Sequence, residues 1–398
     1  MRILYIVNST RLREGSVRSF IPLILGMKDR GVDVVAVVPN KKGVYEILQK
    51  KGIRLYVLPV RLNIYPVFKA FKDVLLFLPR LLRRVLPNML SYYKLKSIIL
   101  NEKIDIIHTN VSVVNVGFKV AKKFGIPHVF HVREYVDKDF DLHYFPAKRS
   151  YKLQLLDADS YSICITKDIQ RHHCLQGGEN SIVIYDGIFH TNQVFLNSVK
   201  KPFFLYVGRF EPAKGLDSLI RAYNGYIRAI RKQPIPLFVI ADNFNDHVYY
   251  LNVMHYIEDN NLSKHIRILG GRDDVVSFMR KALAIIIPSV FEGFGRCMTE
   301  AMFNGCLVIG HDTGGTKEQF DNGKELCGKE IGLRYDTEEQ LTHRLIEVAT
   351  HSPAYYEDML RMAANTVDRL YSIEKHVDNV YGVYTAILSK KEEKSYIK

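Results

Sequence analysis

Short apolar runs alternate with amphipathic stretches along the first sixty residues, and this alternation permits few folds. Runs typical of buried strands cover 2–8, 32–39 and 54–58, and helix-like stretches at 17–30 and 44–51 separate them. A helix between two strands returns the chain to the same end of a sheet, so consecutive strands run parallel. The alternation reappears in the second half of the chain. The sequence therefore predicts an α/β protein with doubly wound parallel sheets.

The chain is long enough for two such sheets. Its 398 residues exceed one ordinary core, and 47% of them are hydrophobic. We expect no bilayer-spanning segment, because no apolar run is long enough, and the first residues read as a strand rather than a signal peptide. Five scattered cysteines without a C-x-x-C pair favour a reducing compartment and disfavour a structural zinc site. A cytoplasmic protein of two domains is the expectation.

Positive charge is concentrated in the first quarter of the chain. The formal net charge is +14, and residues 1–100 hold 19 Lys and Arg against 5 Asp and Glu. The remaining residues are therefore neutral as a group. This asymmetry suggests an anionic partner for the N-terminal part alone. Nucleic acid is disfavoured as that partner, because the chain has no nucleic-acid-binding motif and large apolar residues interrupt the basic ones.

Residues 64–100 carry much of this charge on an amphipathic background. Large apolar residues are interleaved with basic ones that include Arg80, Arg83, Arg84 and Lys94. Three prolines are expected to divide the segment into short helices. Such a surface suits the headgroups of an anionic membrane, with about 1 kcal/mol per basic residue. The alternative is a pair of core helices whose basic faces are solvated.

A predicted strand, loop and helix at 282–305 combine two glutamates with glycines. Seven residues separate Glu292 from Glu300. The turn after the first glutamate consists of Gly293, Phe294 and Gly295. Glycines let backbone N–H groups approach a ligand, and the start of the following helix favours negative charge. The alternative is an ordinary crossover with two surface glutamates.

A pair of cations flanks the start of another predicted helix. A predicted strand ends at Gly208 and Arg209, and Lys214 follows five positions after the arginine. Arginine can bind a diphosphate through two hydrogen bonds, and lysine adds a compact charge. The sequence therefore predicts an anion site here, and two surface cations in a loop are the alternative.

Two residues of the N-terminal half are further candidates. His131 ends a predicted strand, where ligands bind in open α/β sheets, and a histidine there can donate a hydrogen bond or carry charge. A structural role is the alternative. Gly15 lies at a helix entrance, where a phosphate or an acceptor can approach the backbone. A plain helix N-cap at Ser16 is equally compatible with this sequence.

The glutamate spacing and the cation pair together carry a family resemblance. Glu292 and Glu300 resemble the E-x7-E signature of retaining glycosyltransferases of family 4, also called glycosyltransferase group 1. Arg209 and Lys214, each beside a glycine, resemble a second motif of the same family. The resemblance runs from the first strand to the last helix, and its specific motifs are concentrated in residues 203–320.

This resemblance implies the GT-B fold, in which two Rossmann-like, doubly wound domains face each other across a cleft. It implies an N-terminal acceptor-binding domain at 1–190, with 64–100 as its membrane or acceptor segment. A C-terminal nucleotide-sugar domain is expected at 191–375. A terminal helix that crosses back, followed by a frayed tail, is expected at 376–398.

The resemblance also implies roles for individual residues. Arg209 and Lys214 would hold the donor diphosphate and stabilise charge on the leaving group. Glu300 would hydrogen-bond the ribose, Glu292 would orient the sugar and support the transition state, and His131 would lie near that sugar. Further donor contacts would be Gly15, Gly208, Arg272, Gly293, Phe294 and Gly295.

The reaction implied is transfer with retention of anomeric configuration, without an enzyme nucleophile, a metal or another cofactor. The departing phosphate would assist deprotonation of the acceptor. Two D-x-D strings resemble those of metal-dependent transferases of another fold, but their positions suggest no role. They are Asp137-Lys138-Asp139 and Asp157-Ala158-Asp159.

The implied donor is a nucleotide diphosphate sugar, and the implied acceptor is a glycan or a polyprenol-linked saccharide. Bacterial cell-surface polysaccharide synthesis, at the inner face of the cytoplasmic membrane, is the expected setting. A GT-B-fold nucleotide-sugar epimerase or hydrolase is one alternative. A non-catalytic glycan- or lipid-binding protein is another, although loss of Arg209, Lys214 or Glu292 would be its sign and all three are present.

Overall fold

The chain forms two compact units, each built around one parallel sheet. The first unit comprises Met1–Gly187 with Ile373–Lys398, and the second comprises Ile188–Ser372. The computed structural model describes residues 1–66, 72–140, 142–196, 199–242 and 246–396. Residues 67–71 of the predicted membrane segment lie outside the described residues.

The first sheet has seven strands, and its neighbouring strands are parallel. They are β1 (Arg2–Ile6), β2 (Asp33–Val38), β3 (Arg54–Val57), β4 (Ile106–Thr109), β5 (His128–Val132), β6 (Ser160–Cys164) and β7 (Ser181–Val183). Their order in space is β3-β2-β1-β4-β5-β6-β7. The order reverses direction between β1 and β4, which makes the carboxyl ends of these strands the expected ligand edge.

The helices of the first unit that precede Gly187 are mostly short. They are α1 (Gly15–Asp29), α2 (Val44–Lys50), α3 (Lys72–Leu75), α4 (Phe77–Glu102), α5 (Val116–Phe124), α6 (Asp137–Phe140), α7 (Lys148–Leu155) and α8 (Lys167–His172). At 26 residues, α4 is the exception.

The second sheet has six strands in the same kind of order. They are β8 (Phe204–Arg209), β9 (Leu237–Asp242), β10 (Ile266–Ile268), β11 (Ala284–Ile287), β12 (Leu307–His311) and β13 (Leu333–Tyr335). Their order in space is β10-β9-β8-β11-β12-β13, and neighbouring strands are again parallel. The reversal therefore falls between β8 and β11.

Seven α-helices accompany these strands among the described residues of the second unit. They are α9 (Leu216–Ala229), α10 (His247–Asp259), α11 (Val275–Lys281), α12 (Arg296–Phe303), α13 (Gly314–Cys327), α14 (Glu338–Thr350) and α15 (Glu357–Leu370). The predicted fold class, two Rossmann-like parallel-sheet domains, is confirmed.

The last helix, α16 (Ile373–Tyr396), packs into the core of the first unit. Val377, Val380, Tyr384 and Ile387 are all buried there. Their spacing of three and four residues places them on one face of the helix. Each such side chain contributes about 1.5–3 kcal/mol on burial, which is enough to hold the helix on this unit.

The prolines do not divide residues 72–102 as the sequence predicted. Pro79 lies in the first turn of α4, where its missing N–H has no helical acceptor. Pro87 lies inside α4 and removes one hydrogen bond, at a cost of about 3 kcal/mol. The helix continues because its second half buries Leu95, Ile98 and Ile99 while packing against α5.

The sequence over 355–388 predicts a single helix, and this prediction is wrong. The chain leaves helical geometry at Tyr371 and Ser372, between α15 and α16. The Ile188 N–H donates to the Tyr371 carbonyl at 2.9 Å, and Phe189 forms a parallel bridge with Ser372. These contacts use the backbone groups that a continuous helix would need. The sequence analysis also missed β13, whose three residues are too few to show an alternating pattern.

Candidate functional site

The ends of β8 and β11 bring together the cations and glutamates predicted from sequence. β8 ends at Arg209, and the loop after β11 carries Glu292. The two strands pair directly although β9 and β10 lie between them in the chain. Ligands of doubly wound sheets bind at such a reversal, outside the carboxyl ends of the strands.

Lys214 and Glu292 form an ion pair at this edge. Lys214 Nζ lies 2.7 Å from Glu292 Oε1, and the two side chains are 20% and 17% exposed. Ser289 Oγ donates to the same carboxylate oxygen at 2.8 Å. An ammonium and a carboxylate fixed side by side can bind an anionic group and neighbouring hydroxyl groups together.

A glycine lets the two loops approach closely. Gly215 has a φ of +65°, and a Cβ there would lie 2.1 Å from the Pro288 carbonyl oxygen. The Val290 N–H donates to the Ala213 carbonyl at 3.0 Å across the same contact. The loops that carry Lys214 and Glu292 are therefore joined through their backbones, which fixes the distance between the two charges.

Arg209 lies at the same edge and is more accessible. Its side chain is 40% exposed, and its Nη1 lies 3.0 Å from Glu211 Oε1. Gly208 has a structural explanation, because a Cβ there would lie 2.5 Å from the Tyr206 hydroxyl. That hydroxyl donates to the Arg209 carbonyl at 3.2 Å, so Tyr206 supports the backbone from which the arginine projects.

Glu300 lies in α12 and is almost fully buried. It is 8% exposed, and Arg296 Nη2 lies 3.2 Å from its Oε1. The helix begins directly after Gly295, whose φ is +87°. The two glutamates thus have different cation partners, Lys214 for Glu292 and Arg296 for Glu300.

The loop before α12 is held from α13. Gln319 Nε2 donates to the Phe294 carbonyl and, at 3.1 Å, to the Gly295 carbonyl. Phe294, predicted as a donor contact, turns its ring inward against Tyr371, with ring centroids 5.4 Å apart. Gly293 is half-buried in the same loop. The predicted Gly-Phe-Gly turn is therefore anchored by its aromatic ring.

Arg272 lies in the loop between β10 and α11. Its Nε and Nη2 lie 2.7 and 2.9 Å from the two carboxylate oxygens of Asp274. Its guanidinium carbon lies 5.0 Å from the centre of the Phe278 ring. These contacts order the loop in which a donor contact was predicted.

In the first unit, Gly15 is exposed and is the first residue of α1. The N-cap position belongs to Glu14, so the alternative of a cap at Ser16 is wrong. Asn110, after β4, donates through Nδ2 to Asn8 Oδ1 at 2.7 Å. Asn110 Nδ2 also donates to the Ser16 carbonyl at 3.4 Å, so the start of α1 lies near the reversal of the first sheet.

His131 lies inside β5 and belongs to a buried polar chain. Its Nδ1 is 3.3 Å from His108 Nε2, and His108 Nδ1 is hydrogen-bonded to the Tyr384 hydroxyl, which lies 3.2 Å from the Tyr5 hydroxyl. At the other end, His131 Nε2 lies 3.8 Å from Asp186 Oδ1. At 3.8 Å the contact of His131 with Asp186 is electrostatic and longer than a hydrogen bond.

The sequence-based hypothesis that His131 carries a charge needs correction. Burial, followed by the positive charge of Arg133, lowers the pKa of His131 well below its ordinary value. The same two causes lower the pKa of His108. Both imidazoles are therefore neutral at physiological pH, and their protons are ordered by the hydrogen-bonded chain.

Arg133 and Asp186 form a buried ion pair next to His131, and the sequence analysis assigned neither residue a role. They are 7% and 2% exposed. Arg133 Nε also donates to the Asn110 side chain at 3.1 Å. Neighbouring Glu134 accepts from the Ser112 N–H at 2.9 Å. The only sequence signal for this ion pair was an arginine directly after a strand. Its partner could not be recognised, because it lies 53 positions away in the chain.

Among the described residues of the first unit, one grouping has metal-ligand character. Ligand-type atoms of His131, Asp186 and His376 lie within 4.8 Å of one another. The Gly187 N–H donates to His376 Nδ1 at 3.0 Å, so His376 must carry its proton on Nε2. A protonated nitrogen cannot bind a metal, and Arg133 already neutralises Asp186. These donors do not fit a metal ion.

The first aspartate of each D-x-D string has a cationic partner. Asp157 forms an ion pair with Lys122. Asp137 lies between Lys148 Nζ and His172 Nε2, each 2.8 Å from one of its carboxylate oxygens.

The helix α4 exposes a long apolar stripe. Its buried face carries Leu95, Ile98 and Ile99, and the opposite face is apolar as well. Exposed side chains recur along it at helical spacing: Leu78, Leu82, Leu86, Met89, Leu90, Tyr93 and Leu100. Among the described residues, no helix has both the length and the apolar character required to cross a bilayer.

The predicted basic residues divide into two groups on this helix. Arg83 and Lys94 are exposed. Arg80 pairs with Asp73 at 2.6 Å, and Arg84 Nη1 donates to the Ile64 carbonyl at 3.3 Å. Two of the four predicted membrane contacts therefore make internal bonds, and the other two lie beside the apolar stripe.

Comparisons with known proteins place the two-sheet fold among those of glycosyltransferases. Residues 190–366 match the family described as glycosyl transferases group 1, and residues 14–162 match the glycosyl transferase 4-like domain. The chain belongs to the group 1 glycosyltransferase family, as the sequence motifs predicted.

Several curated proteins share part of this sequence. An uncharacterized glycosyltransferase of Methanocaldococcus jannaschii is 31% identical over 245 residues, which are 60% of this chain and 65% of that protein. The trehalose synthase of Pyrococcus horikoshii is 26% identical over 47% of this chain and 45% of its own length. The matched region therefore spans less than two thirds of the length of each of these two relatives. The UDP-Gal:alpha-D-GlcNAc-diphosphoundecaprenol alpha-1,3-galactosyltransferase of Escherichia coli is 26% identical over 62% of this chain and 69% of its own.

Solved structures with the same fold have low sequence identity. HepE of Anabaena, in complex with UDP and glucose, has a TM-score of 0.72 and 17% identity, over 97% of this chain and 100% of its own. A glycosyltransferase from Rickettsia africae has a TM-score of 0.73 and 16% identity, over 97% of this chain and 98% of its own.

Proposed function

We propose that this protein transfers a sugar from a nucleotide diphosphate sugar to a glycan or lipid-linked acceptor, with retention of configuration and without a metal. The observation that carries the proposal is the Lys214–Glu292 pair at the reversal of the second sheet. Family membership and the UDP in the HepE structure support a nucleotide-sugar donor.

Charge develops on the diphosphate leaving group as the sugar departs. Arg209, which is partly exposed, and Lys214 would bind that diphosphate and stabilise its charge, usually the largest catalytic contribution. Glu292 would accept hydrogen bonds from the sugar and support positive charge at its anomeric carbon. Glu300, fixed by Arg296, would accept hydrogen bonds from the ribose.

Two features support transfer without metal or nucleophile. Arg209 and Lys214 already supply the positive charge that a metal ion would bring to a diphosphate. Glu292 is paired with Lys214 and receives a hydrogen bond from Ser289, which lowers its reactivity as a nucleophile. Same-face attack, assisted by the departing phosphate, then accounts for retention.

The acceptor belongs to the first unit in this proposal. The exposed stripe of α4, with Arg83 and Lys94 beside it, would dock on the anionic inner face of the cytoplasmic membrane. The Escherichia coli relative is named for a diphosphoundecaprenol-linked substrate, which supports a lipid-linked acceptor in bacterial cell-surface polysaccharide synthesis.

The test is release of nucleotide from a panel of UDP-, GDP- and ADP-sugars, with and without EDTA. Wild type is expected to release one nucleotide slowly in EDTA. Arg209→Ala and Glu292→Gln are each expected to release nucleotide roughly 100-fold or more slowly than the wild type. Arg228→Ala and Glu258→Gln change the same residue types on exposed helix surfaces and are expected to retain it.

Two results would contradict the proposal. Nucleotide binding that raises the melting temperature without any turnover would indicate a non-catalytic binding protein. Turnover that requires a divalent cation would show that the charge of Arg209 and Lys214 is insufficient.

A further inference from the structure

A cavity of about 340 Å³ lies in the first unit, and its walls share no residue with the predicted donor contacts. Its volume is near the lower end of small-molecule sites, which run from about 300 to 1,000 Å³. Its walls include Tyr65, Asp137, His143, Tyr144, Pro146 and Lys148. The walls combine aromatic rings with charged side chains, and no substrate contact has been assigned above to any of these residues individually.

The cavity walls are held by a small ladder outside the main sheet. Ile64 forms an antiparallel bridge with Tyr144, and the Tyr65 N–H donates to the His143 carbonyl at 2.8 Å. The Phe145 N–H donates to the Asn63 carbonyl at 3.0 Å, so backbone hydrogen bonds flank Ile64 and fix the backbone of Tyr65, which lines the cavity. The site is therefore built by paired backbone segments and does not depend on one loop alone.

The Tyr65 ring is further fixed by its neighbours. Its hydroxyl donates to the Pro146 carbonyl at 3.1 Å, and its ring meets the edge of Phe145 at 5.2 Å. It is also stacked with Phe77, the first residue of α4, with ring centroids 6.1 Å apart. The cavity thus lies directly beside the start of the helix that carries the exposed apolar stripe.

The charged wall offers both a donor and an acceptor. Lys148 Nζ lies 2.8 Å from Asp137 Oδ2, and His172 Nε2 lies 2.8 Å from the other carboxylate oxygen. The Lys148 side chain is 54% exposed, so its ammonium is accessible from solvent. A carboxylate in the wall disfavours phosphate by charge repulsion, whereas neighbouring hydroxyl groups can donate to Asp137 and accept from Lys148.

We propose that this cavity binds one pyranose ring of the acceptor. Tyr65 and Tyr144 would contact its C–H groups, and Asp137 with Lys148 would bind its hydroxyl groups. The identification of this sugar as the acceptor rests on the proposed transferase function. The binding of a pyranose in the cavity does not depend on that function. A ring bound beside Phe77 would belong either to a free glycan or to a lipid-linked one held at α4.

The probes are methyl glycosides of glucose, galactose and N-acetylglucosamine, with binding followed by saturation-transfer NMR on the full chain. At least one glycoside is expected to bind wild type. Lys148→Met and Tyr65→Leu are expected to weaken that binding about tenfold or more, which is the value of one charge-assisted hydrogen bond. Arg149→Met removes the same charge from the next, exposed position of α7 and is expected to bind normally.

No binding to wild type, or equal binding by all four proteins, would overturn the proposal. Nucleotide release from the donor is measured in the same proteins and is expected to be unchanged, so loss of the cavity and failure of the donor site are distinguished. Lys148→Met keeps the test valid if Tyr65→Leu does not fold. Tighter binding of the same sugar on a dialkyl glycoside in phosphatidylcholine vesicles would identify a lipid-linked source, and equal binding a free glycan.

Discussion

Lys214 and Glu292 show which part of a site a sequence can reveal. Their positions follow from local motifs, a strand end with glycines and a strand–loop–helix unit. Their 2.7 Å contact needs the pairing of β8 with β11, which the motifs do not state. The surroundings of His131 were beyond sequence reading, because His108, Asp186 and Tyr384 come from separate elements and carry no shared spacing.

A buried histidine makes the stability of the fold dependent on pH. Burial lowers the pKa of His128 to about 3, against about 6.5 in an unfolded chain. Between these values the unfolded state binds a proton that the folded state does not, so the free energy of unfolding falls as the pH falls. One such group contributes about 1.4 kcal/mol per pH unit.

His128→Gln is therefore expected to reduce the slope of unfolding free energy against pH by about that amount between about pH 6 and pH 5. Urea unfolding at several pH values measures the slope. His255→Gln, on the exposed face of α10, is the matched control and is expected to leave the slope unchanged. An unaltered slope in His128→Gln would show that the folded state protonates this histidine readily.

The left-handed conformation of Gly295 is the second residue-scale feature open to test. Gly295 and Gly270 have φ values of +87° and +67°, so alanine is strained at both, by about 1–2 kcal/mol. A Cβ at Gly295 would also lie 2.9 Å from Gln319 Nε2, whereas one at Gly270 has no described atom within 4 Å. Urea unfolding is expected to show a larger loss for Gly295→Ala than for Gly270→Ala, and equal losses would contradict the close contact.

At the scale of elements, α4 departs most from its sequence-based description. Its prolines were expected to end helices, yet Pro87 is accommodated because the buried face of the helix continues beyond it. Propensity rules treat a proline locally, while packing is set by distant residues. The break at Tyr371 and Ser372 is the converse, since no glycine or proline announces it and its cause is a backbone contact with Ile188.

The exposed stripe of α4 gives an element-scale prediction. Leu78→Asp combined with Leu82→Asp is expected to weaken binding to vesicles of phosphatidylcholine with phosphatidylglycerol about tenfold or more, because two apolar contacts are lost. Vesicle sedimentation measures the effect. Leu153→Asp with Leu156→Asp, 61% and 60% exposed in and just after α7, is the matched control. Equal vesicle binding by the two double variants would contradict the proposal that the α4 stripe docks on a membrane.

At the scale of the whole molecule, the two units repeat one sheet order. β3-β2-β1-β4-β5-β6 in the first corresponds to β10-β9-β8-β11-β12-β13 in the second. The alternation of strands and helices was readable from the sequence, and the fold class followed from it. The two units differ in charge, because the excess of basic residues lies within residues 1–100. This division agrees with a proposed anionic surface partner for the first unit and a donor for the second.

The most direct test of the central claim is the configuration of the sugar first released from the donor, read by proton NMR in EDTA before the anomers equilibrate. An α-linked donor is expected to yield the α anomer first, at a rate lost in Glu292→Gln. Release of the β anomer first, or no release until a divalent cation is added, would contradict retaining, metal-independent transfer at the Lys214–Glu292 site.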